Sequence, residues 1–211
     1  MLVRDIPYLD EPNERKKRII EIAVDFFAQK GFAAVTMRDI AKAAGINIAS
    51  FYYYFESKDV LLEDIVAHFT QMYRHYFASL AELNEQAETL DELMDYMFND
   101  EFVEQLNPMS YLSMSLILKE QHNNELARSC VSDLLYNQSI AWLKADFDRL
   151  IEKGVIPPSD TNTISTFLMF SVLCCNEIRV HEHFGLIPPF DRKEMLISLK
   201  RHITLALTHG I

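Results

Sequence analysis

The sequence predicts an all-α fold of about nine helices. Three observations carry this. Only 5 Gly and 7 Pro interrupt 211 residues, and sparse breakers favour long helices over many-turned sheets. Between those breakers, apolar residues recur at three- and four-residue spacings. No stretch alternates apolar and polar residues: neither Ala33-Ala34-Val35 nor the aromatic run Phe51 to Phe55 reads as a strand. With 49% hydrophobic residues the chain can bury a real core, and its length suits one large domain or two small ones.

The elements follow in order. Residues 1–12, with Pro7 and Pro12, read as a loose arm. A helix begins near Asn13. Its apolar residues are Ile19, Ile22, Ala23, Phe26 and Phe27, and Lys30-Gly31 supplies a basic last turn and a stop. Thr36 opens a second helix, and Thr36 with Asp39 has capping-box spacing. Within it Ile40 and Ala44 face inward, and the small Ala41 lets two helices approach. Gly45 turns the chain and Ile46 plugs the turn. The third helix follows Gly45, with Phe51 and Phe55 one turn apart to pack it back onto the first two. Ser57 caps a fourth, whose stripe is Leu61, Ile65, Phe69, Met72, Tyr76 and Leu80. Five more helices are expected over about 89–106, 109–121, 124–153, 161–183 and 191–208. Asn107-Pro108, Gly154 with Pro157-Pro158, and Gly185 with Pro188-Pro189 separate them. The chain thus divides into an arm (1–12), a head (13–58) and a body (59–211).

Two short helices joined by a glycine turn, over residues 36–58, have the layout of a helix-turn-helix. That unit places one helix in the major groove of double-stranded DNA. The net charge of −11 runs against this until it is divided by region. Residues 14–58 hold eight Lys/Arg against five Asp/Glu, a net +3, whereas residues 59–211 carry −12. A cationic head attracts phosphates while the acidic body turns away from them. Arg15-Lys16-Lys17-Arg18 reads as a solvated helix face or as a contact to flanking DNA backbone. Three consecutive tyrosines, Tyr52 to Tyr54, cannot all face inward on one helix.

Residues 18–62 closely resemble the DNA-binding region of the TetR family of bacterial transcriptional regulators. The likeness lies in Ile19 to Gly31, Thr36 to Gly45, and Tyr52-Tyr53-Tyr54-Phe55-Glu56-Ser57-Lys58-Asp59 leading into Leu61-Leu62. It implies a C-terminal body that binds an inducer and forms the dimer interface. It also assigns roles. Thr36 would touch a phosphate through its backbone N–H and hydroxyl, and Arg38 joins the DNA-facing set. Asn47 would cap the third helix, while Ile48, Ala49 and Ser50 at its exposed end read base edges. Tyr52 and Tyr53 would reach bases or backbone, and Tyr54 would both pack and meet phosphate. Lys58 would grip a phosphate with help from the helix dipole. Many members carry a basic or polar residue where Ile48 stands and glycine where Ala49 stands. The apolar pair here is expected to meet thymine methyls.

The body is rich in Met94, Met97, Met109, Met114, Met169, Tyr96, Tyr111, Phe102, Phe167, Phe170 and Trp142. Such side chains pack a core or make adaptable pocket walls. Tyr111, Met114, Trp142 and Phe170 are the candidate walls for an apolar or aromatic small-molecule effector. Glu177 and His181, with His183 and Cys174 nearby, read as a partly solvated helix end rather than a metal site. Phe167, Phe170, Leu173, Cys174 and Ile178 form one stripe; Leu196, Leu199, Ile203 and Leu207 form another. Their surplus apolar surface suggests a homodimer contact of two helices per subunit, which would present two recognition helices to a palindromic operator. Cys130, Cys174 and Cys175 have neither metal nor disulfide spacing, which points to a reducing cytoplasm. The most apolar run, Ile164 to Cys175, is short for a membrane span and holds Ser165, Thr166 and Ser171, so no membrane partner is expected. No Ser/His/Asp set, phosphate loop or carboxylate pair is visible, so neither an enzyme nor a cofactor is expected. The leading expectation is a ligand-responsive repressor. The alternative is a constitutive, nucleoid-associated DNA binder whose body meets a protein.

Overall fold

The computed structural model describes residues 13–98, 107–189 and 191–209, and within them every regular element is helical. The head holds α1 (Glu14–Lys30), α2 (Met37–Ala43) and α3 (Ile48–Tyr54). The body follows with α4 (Lys58–Asn84), α5 (Leu90–Met97), α6 (Pro108–Glu120), α7 (Glu125–Ser129), a π-helical segment (Cys130–Gln138), α8 (Ser139–Glu152), α9 (Thr161–His183) and α10 (Arg192–His209). The arm expected over 1–12 lies outside the described residues; the helix expected over 89–106 stops instead at Met97, with Phe98 as its cap, and residues 99–106, with Phe102, are not among those described.

Each start has a local cause. Asn13 Oδ1 accepts the N–H groups of Arg15 and Lys16 at 3.1 and 3.2 Å, opening α1. Ser57 Oγ accepts the N–H of Val60 at 3.1 Å and starts α4, whose 27 residues span about 40 Å. At the far end of α4, Arg149 of α8 donates to the carbonyls of Asn84 and Ala87. These are main-chain acceptors that the helix end leaves without intrahelical partners. Asn84, itself buried, donates to Asp146 at 2.6 Å. Burial pushes the Asp146 carboxyl above the usual carboxylate range, and the Asn84 hydrogen bond opposes it.

Two apolar cores result. The larger runs without a break from the head into the body. It joins Ile19, Ala23 and Phe27 of α1, Phe51 and Phe55 around α3, Leu61 to Tyr73 of α4, Leu112 to Ile117 of α6, the π segment, and Met169 and Leu173 of α9. The smaller lies at the far end and gathers Leu93 and Met97 of α5, Phe147 and Leu150 of α8, Ile164 and Leu168 of α9, and Ile203 and Leu207 of α10. Along α4 the inward tyrosine is Tyr73, while Tyr76, assigned to the stripe by spacing, is only half-buried.

The rod expected over 124–153 is continuous but not uniform. Its middle nine residues are π-helix, where each backbone bond reaches one residue further than in an α-helix. Ser139 closes this segment: its hydroxyl donates to the Leu134 carbonyl at 2.8 Å. That uses the Ser139 proton, so the buried Tyr73 hydroxyl is the donor across the 3.3 Å contact to Ser139 Oγ. Desolvation at this site pushes the Tyr73 phenol far above its ordinary value.

By length and composition alone the 23-residue α9 could cross a membrane, a test that the core helix of a globular protein also passes, and the run Ile164 to Cys175 within it stays short for a span. Its inner face packs against α6 and α8 with Ile164, Leu168 and Met169 buried, and its other face leaves Phe167 and Phe170 exposed.

Candidate nucleic-acid interface

The capping box predicted for α2 is present. Thr36 Oγ1 accepts the Asp39 N–H at 3.2 Å, and Asp39 Oδ2 accepts the Thr36 N–H at 2.9 Å. The Thr36 hydroxyl also donates to Asp39 Oδ2 at 2.6 Å, and these bonds hold the Asp39 carboxyl below its usual range. Both donors expected to meet a phosphate are therefore engaged by Asp39 in the free protein. A phosphate has to displace the carboxylate to use them.

The turn then reverses the chain in three residues. The Ile46 N–H reaches back to the Ala41 carbonyl at 3.0 Å, which requires the left-handed backbone that Gly45 adopts at φ 70°. A Cβ at Gly45 would meet no atom within 4 Å, so the demand is purely conformational. Asn47 Oδ1 then accepts the Ser50 N–H at 2.7 Å and starts α3. Phe51 is fully buried and Phe55 nearly so, anchoring α3 from one side. The opposite side carries Ala49 and Ser50, both exposed, Tyr52 at 51% exposure and Tyr53 at 85%. An exposure of 85% for a tyrosine on a packed helix is unusual, because the ring forfeits its burial free energy. Tyr54 is half-buried and meets Tyr53 edge to face at 5.3 Å between centroids.

Two candidates differ from expectation. Ile48 is half-buried against the larger core, so only part of it is left for a thymine methyl. Lys58 folds back: its ammonium donates to the carbonyls of Phe32 at 2.8 Å and Val35 at 3.1 Å and lies 4.4 Å from the centre of the Phe32 ring. It fastens the α1–α2 connection to the start of α4 before any phosphate arrives. Spacing could not reveal this, because the carbonyls come from a loop 23 to 26 residues away. Arg38 and Lys42 are exposed on α2, and Lys42 was not singled out by sequence. Of the basic run at 15–18, Lys16 is drawn to Asp64 of α4 at 3.1 Å. A hydrogen bond from His68, then the Lys16 ammonium, hold the Asp64 carboxyl below its usual range.

Of the residues expected to wall an effector pocket, Tyr111 and Trp142 pack against the larger core. Met114 is buried in the larger core, and Trp142 stacks on Phe77 at 4.8 Å. Phe170 is exposed. The Tyr111 hydroxyl lies 3.1 Å from His183 Nδ1. His183 Nε2 in turn lies 3.3 Å from Asp25 of α1, so this histidine joins head to body rather than meeting Glu177 or Cys174. No group of three or more potential ligands suited to a metal ion occurs among the described residues.

An exposed α3 presented by a capped, glycine-turned α2 on a cationic head defines a helix-turn-helix DNA-binding protein. Residues 19–65 match the family model described as bacterial regulatory proteins, tetR family. The chain is 37% identical over 84 residues to the "Probable HTH-type transcriptional regulator YttP" of Bacillus subtilis (strain 168), covering 40% of this chain and 41% of that protein. It is 29% identical over 148 residues to the biofilm operon icaADBC HTH-type negative transcriptional regulator IcaR of Staphylococcus aureus (strain Newman), covering 64% of this chain and 77% of that one. The match thus spans about two fifths of the length of YttP. In fold the chain is similar to the ketosteroid transcriptional regulator KstR2 of Mycobacterium tuberculosis. The TM-score is 0.68 at 17% identity, covering 96% of this chain and 99% of that one. The head is thus a TetR-family DNA-binding domain, and the chain as a whole shares the fold of KstR2.

Proposed function

We propose that this protein is a ligand-responsive repressor that binds a palindromic operator as a homodimer in the bacterial cytoplasm. In this reading residues 13–58 read DNA, and residues 59–211 pair the subunits and sense a small effector. The observation that carries it is the outward face of α3, where Ala49, Ser50, Tyr52 and Tyr53 stand clear of the core. Burial could have used those rings, and their exposure leaves them for the major groove. The similarity to IcaR, a negative transcriptional regulator, supports repression. The exposed Phe167 and Phe170 on α9, with Ile197 and Leu205 on α10, support pairing through these helices.

The effector acts through α4, which begins at the head and ends deep in the body. An effector that binds one tilt of α4 more tightly than another changes the spacing of the two heads, and with it the fit to successive major grooves.

Selection of bound duplexes from a random pool tests this reading. Inverted repeats should be enriched, with half-site centres one helical turn apart, about 34–36 Å. Tyr53→Ala should weaken binding to the selected duplex at least tenfold with little change in salt slope, and Arg38→Ala should lower the slope by about one. A pool with no enriched repeat would overturn the proposal.

A further inference from the structure

A groove of about 480 Å³ lies where the head-proximal part of α4 faces α7 and the π segment. It is separate from the residues expected to wall a pocket. Its floor is apolar, made by Val66 and Ala67 of α4, Leu126 of α7 and Leu134 of the π segment. Leu126 is 49% exposed there. Cys130 completes the floor; burial pushes its thiol up and keeps it neutral, and it accepts a hydrogen bond from Thr70 at 3.6 Å.

The polar groups are unevenly spread. Arg74, His75 and Gln138 stand together at one end, and their side chains make no hydrogen bond or ion pair among the described residues. Asp133, the nearby carboxylate, is already held by the hydroxyls of Ser129 and Ser132, each at 3.0 Å. Glu63 lies at the other end, eleven residues from Arg74 and so about 16 Å away along α4. The stretch from Val66 to Arg74 measures about 12 Å, the length of a medium-chain hydrocarbon stem.

We infer that this groove binds an amphiphilic organic monoanion, its apolar stem on the Val66–Leu134 floor and its carboxylate on the Arg74 guanidinium. A guanidinium presents paired N–H donors that match a carboxylate. His75 and Gln138 supply further donors beside it. Asp133 and Glu63 also line the groove, so a second negative charge on the ligand adds repulsion and a phosphate monoester on the same stem binds more weakly. The π segment contributes the wall, since its wider turns set Cys130, Leu134 and Gln138 along one side of the groove. Π-helical turns frequently occur at functional sites. The inference rests on the regulator reading, because a ligand between α4 and the π segment presses on the helix that carries the head.

Calorimetric titration of the full chain with decanoate below its micelle concentration tests the site, with decyl phosphate and decyltrimethylammonium as comparison probes. Decanoate should bind, decyl phosphate more weakly, and the ammonium at least tenfold more weakly. Arg74→Ala, a surface change, should cost decanoate tenfold or more, and Ala67→Phe, which fills the floor, should abolish binding. Absence of decanoate binding, equal binding of the ammonium probe, or binding unchanged in both variants would each overturn the assignment. Duplex binding by the same proteins without decanoate reads the head separately. Wild type that binds DNA but not decanoate removes only the groove assignment. Wild type that binds decanoate but no DNA removes the regulator reading and keeps the site.

Discussion

At the residue scale, the head turns several polar groups inward that its chemistry would otherwise offer to DNA. Thr36 gives its N–H and hydroxyl to Asp39, Lys16 is paired with Asp64, and Lys58 holds the carbonyls of Phe32 and Val35. Each is a charge-assisted contact that positions an element. What remains free on the outward face is mostly neutral: Ala49, Ser50 and two tyrosines, with Arg38 and Lys42 on α2. Lys58→Ala should therefore lower the head's stability by about 1.5 kcal/mol, the scale of hydrogen bonds to a charged group. Chemical denaturation measures this. A stability within 0.3 kcal/mol of wild type, with a reduced salt slope for DNA binding, would instead make Lys58 a phosphate contact first (thresholds of about the size that separates one bond from none).

At the element scale, the π segment is the feature that spacing could not expose. The buried positions of this middle, Cys130, Val131, Leu134 and Leu135, recur at a spacing of four that suits a helix whether its backbone bonds reach four or five residues. The helix was therefore legible as a rod and its widened middle was not. Ser139 holds the end of that middle by bonding the Leu134 carbonyl while accepting from Tyr73. Ser139→Ala should leave a buried phenol without its acceptor and cost about 1–3 kcal/mol in thermal or denaturant unfolding. A neutral result would show that Tyr73 finds another acceptor and that the π geometry stands without this serine. The last two helices show the reverse case. Of the α10 stripe, Ile203 and Leu207 close the distal core with Leu199 packed against them, whereas Phe167, Phe170 and Cys174 of the α9 stripe stay exposed. The α9 stripe is split: Leu173 joins the larger core, while Phe167 and Phe170 are left exposed.

At the scale of the whole molecule, the head is not a bead on a string. One core passes from α1 and α4 into α6 and the π segment, and His183 of α9 meets Asp25 of α1 across that junction. Head and body are thereby joined through packed contacts rather than through a linker. The exposed side of α9, with Phe167 and Phe170, offers apolar surface to the proposed second copy. Phe167→Asp with Phe170→Asp should convert a dimer into a monomer in sedimentation, and should reduce affinity for an inverted repeat to that of a single half-site. The pairing proposal fails if wild type sediments as a monomer at micromolar concentration, or if the double variant remains a dimer.

The sequence by itself determined the all-helical class, the starts of the described helices to within a few residues, both caps of the helix-turn-helix and the outward face of α3. These are local properties: a cap needs neighbours three residues away, a glycine turn needs its own φ, and Phe51 with Phe55 marks the inner side of one helix. Only the tertiary structure decided which polar groups are spent inside the head, where α4 opens a groove against the π segment, and which apolar stripe stays uncovered. Those outcomes depend on side chains far apart in the chain, and a residue's type carries no record of the partner that packing will bring to it.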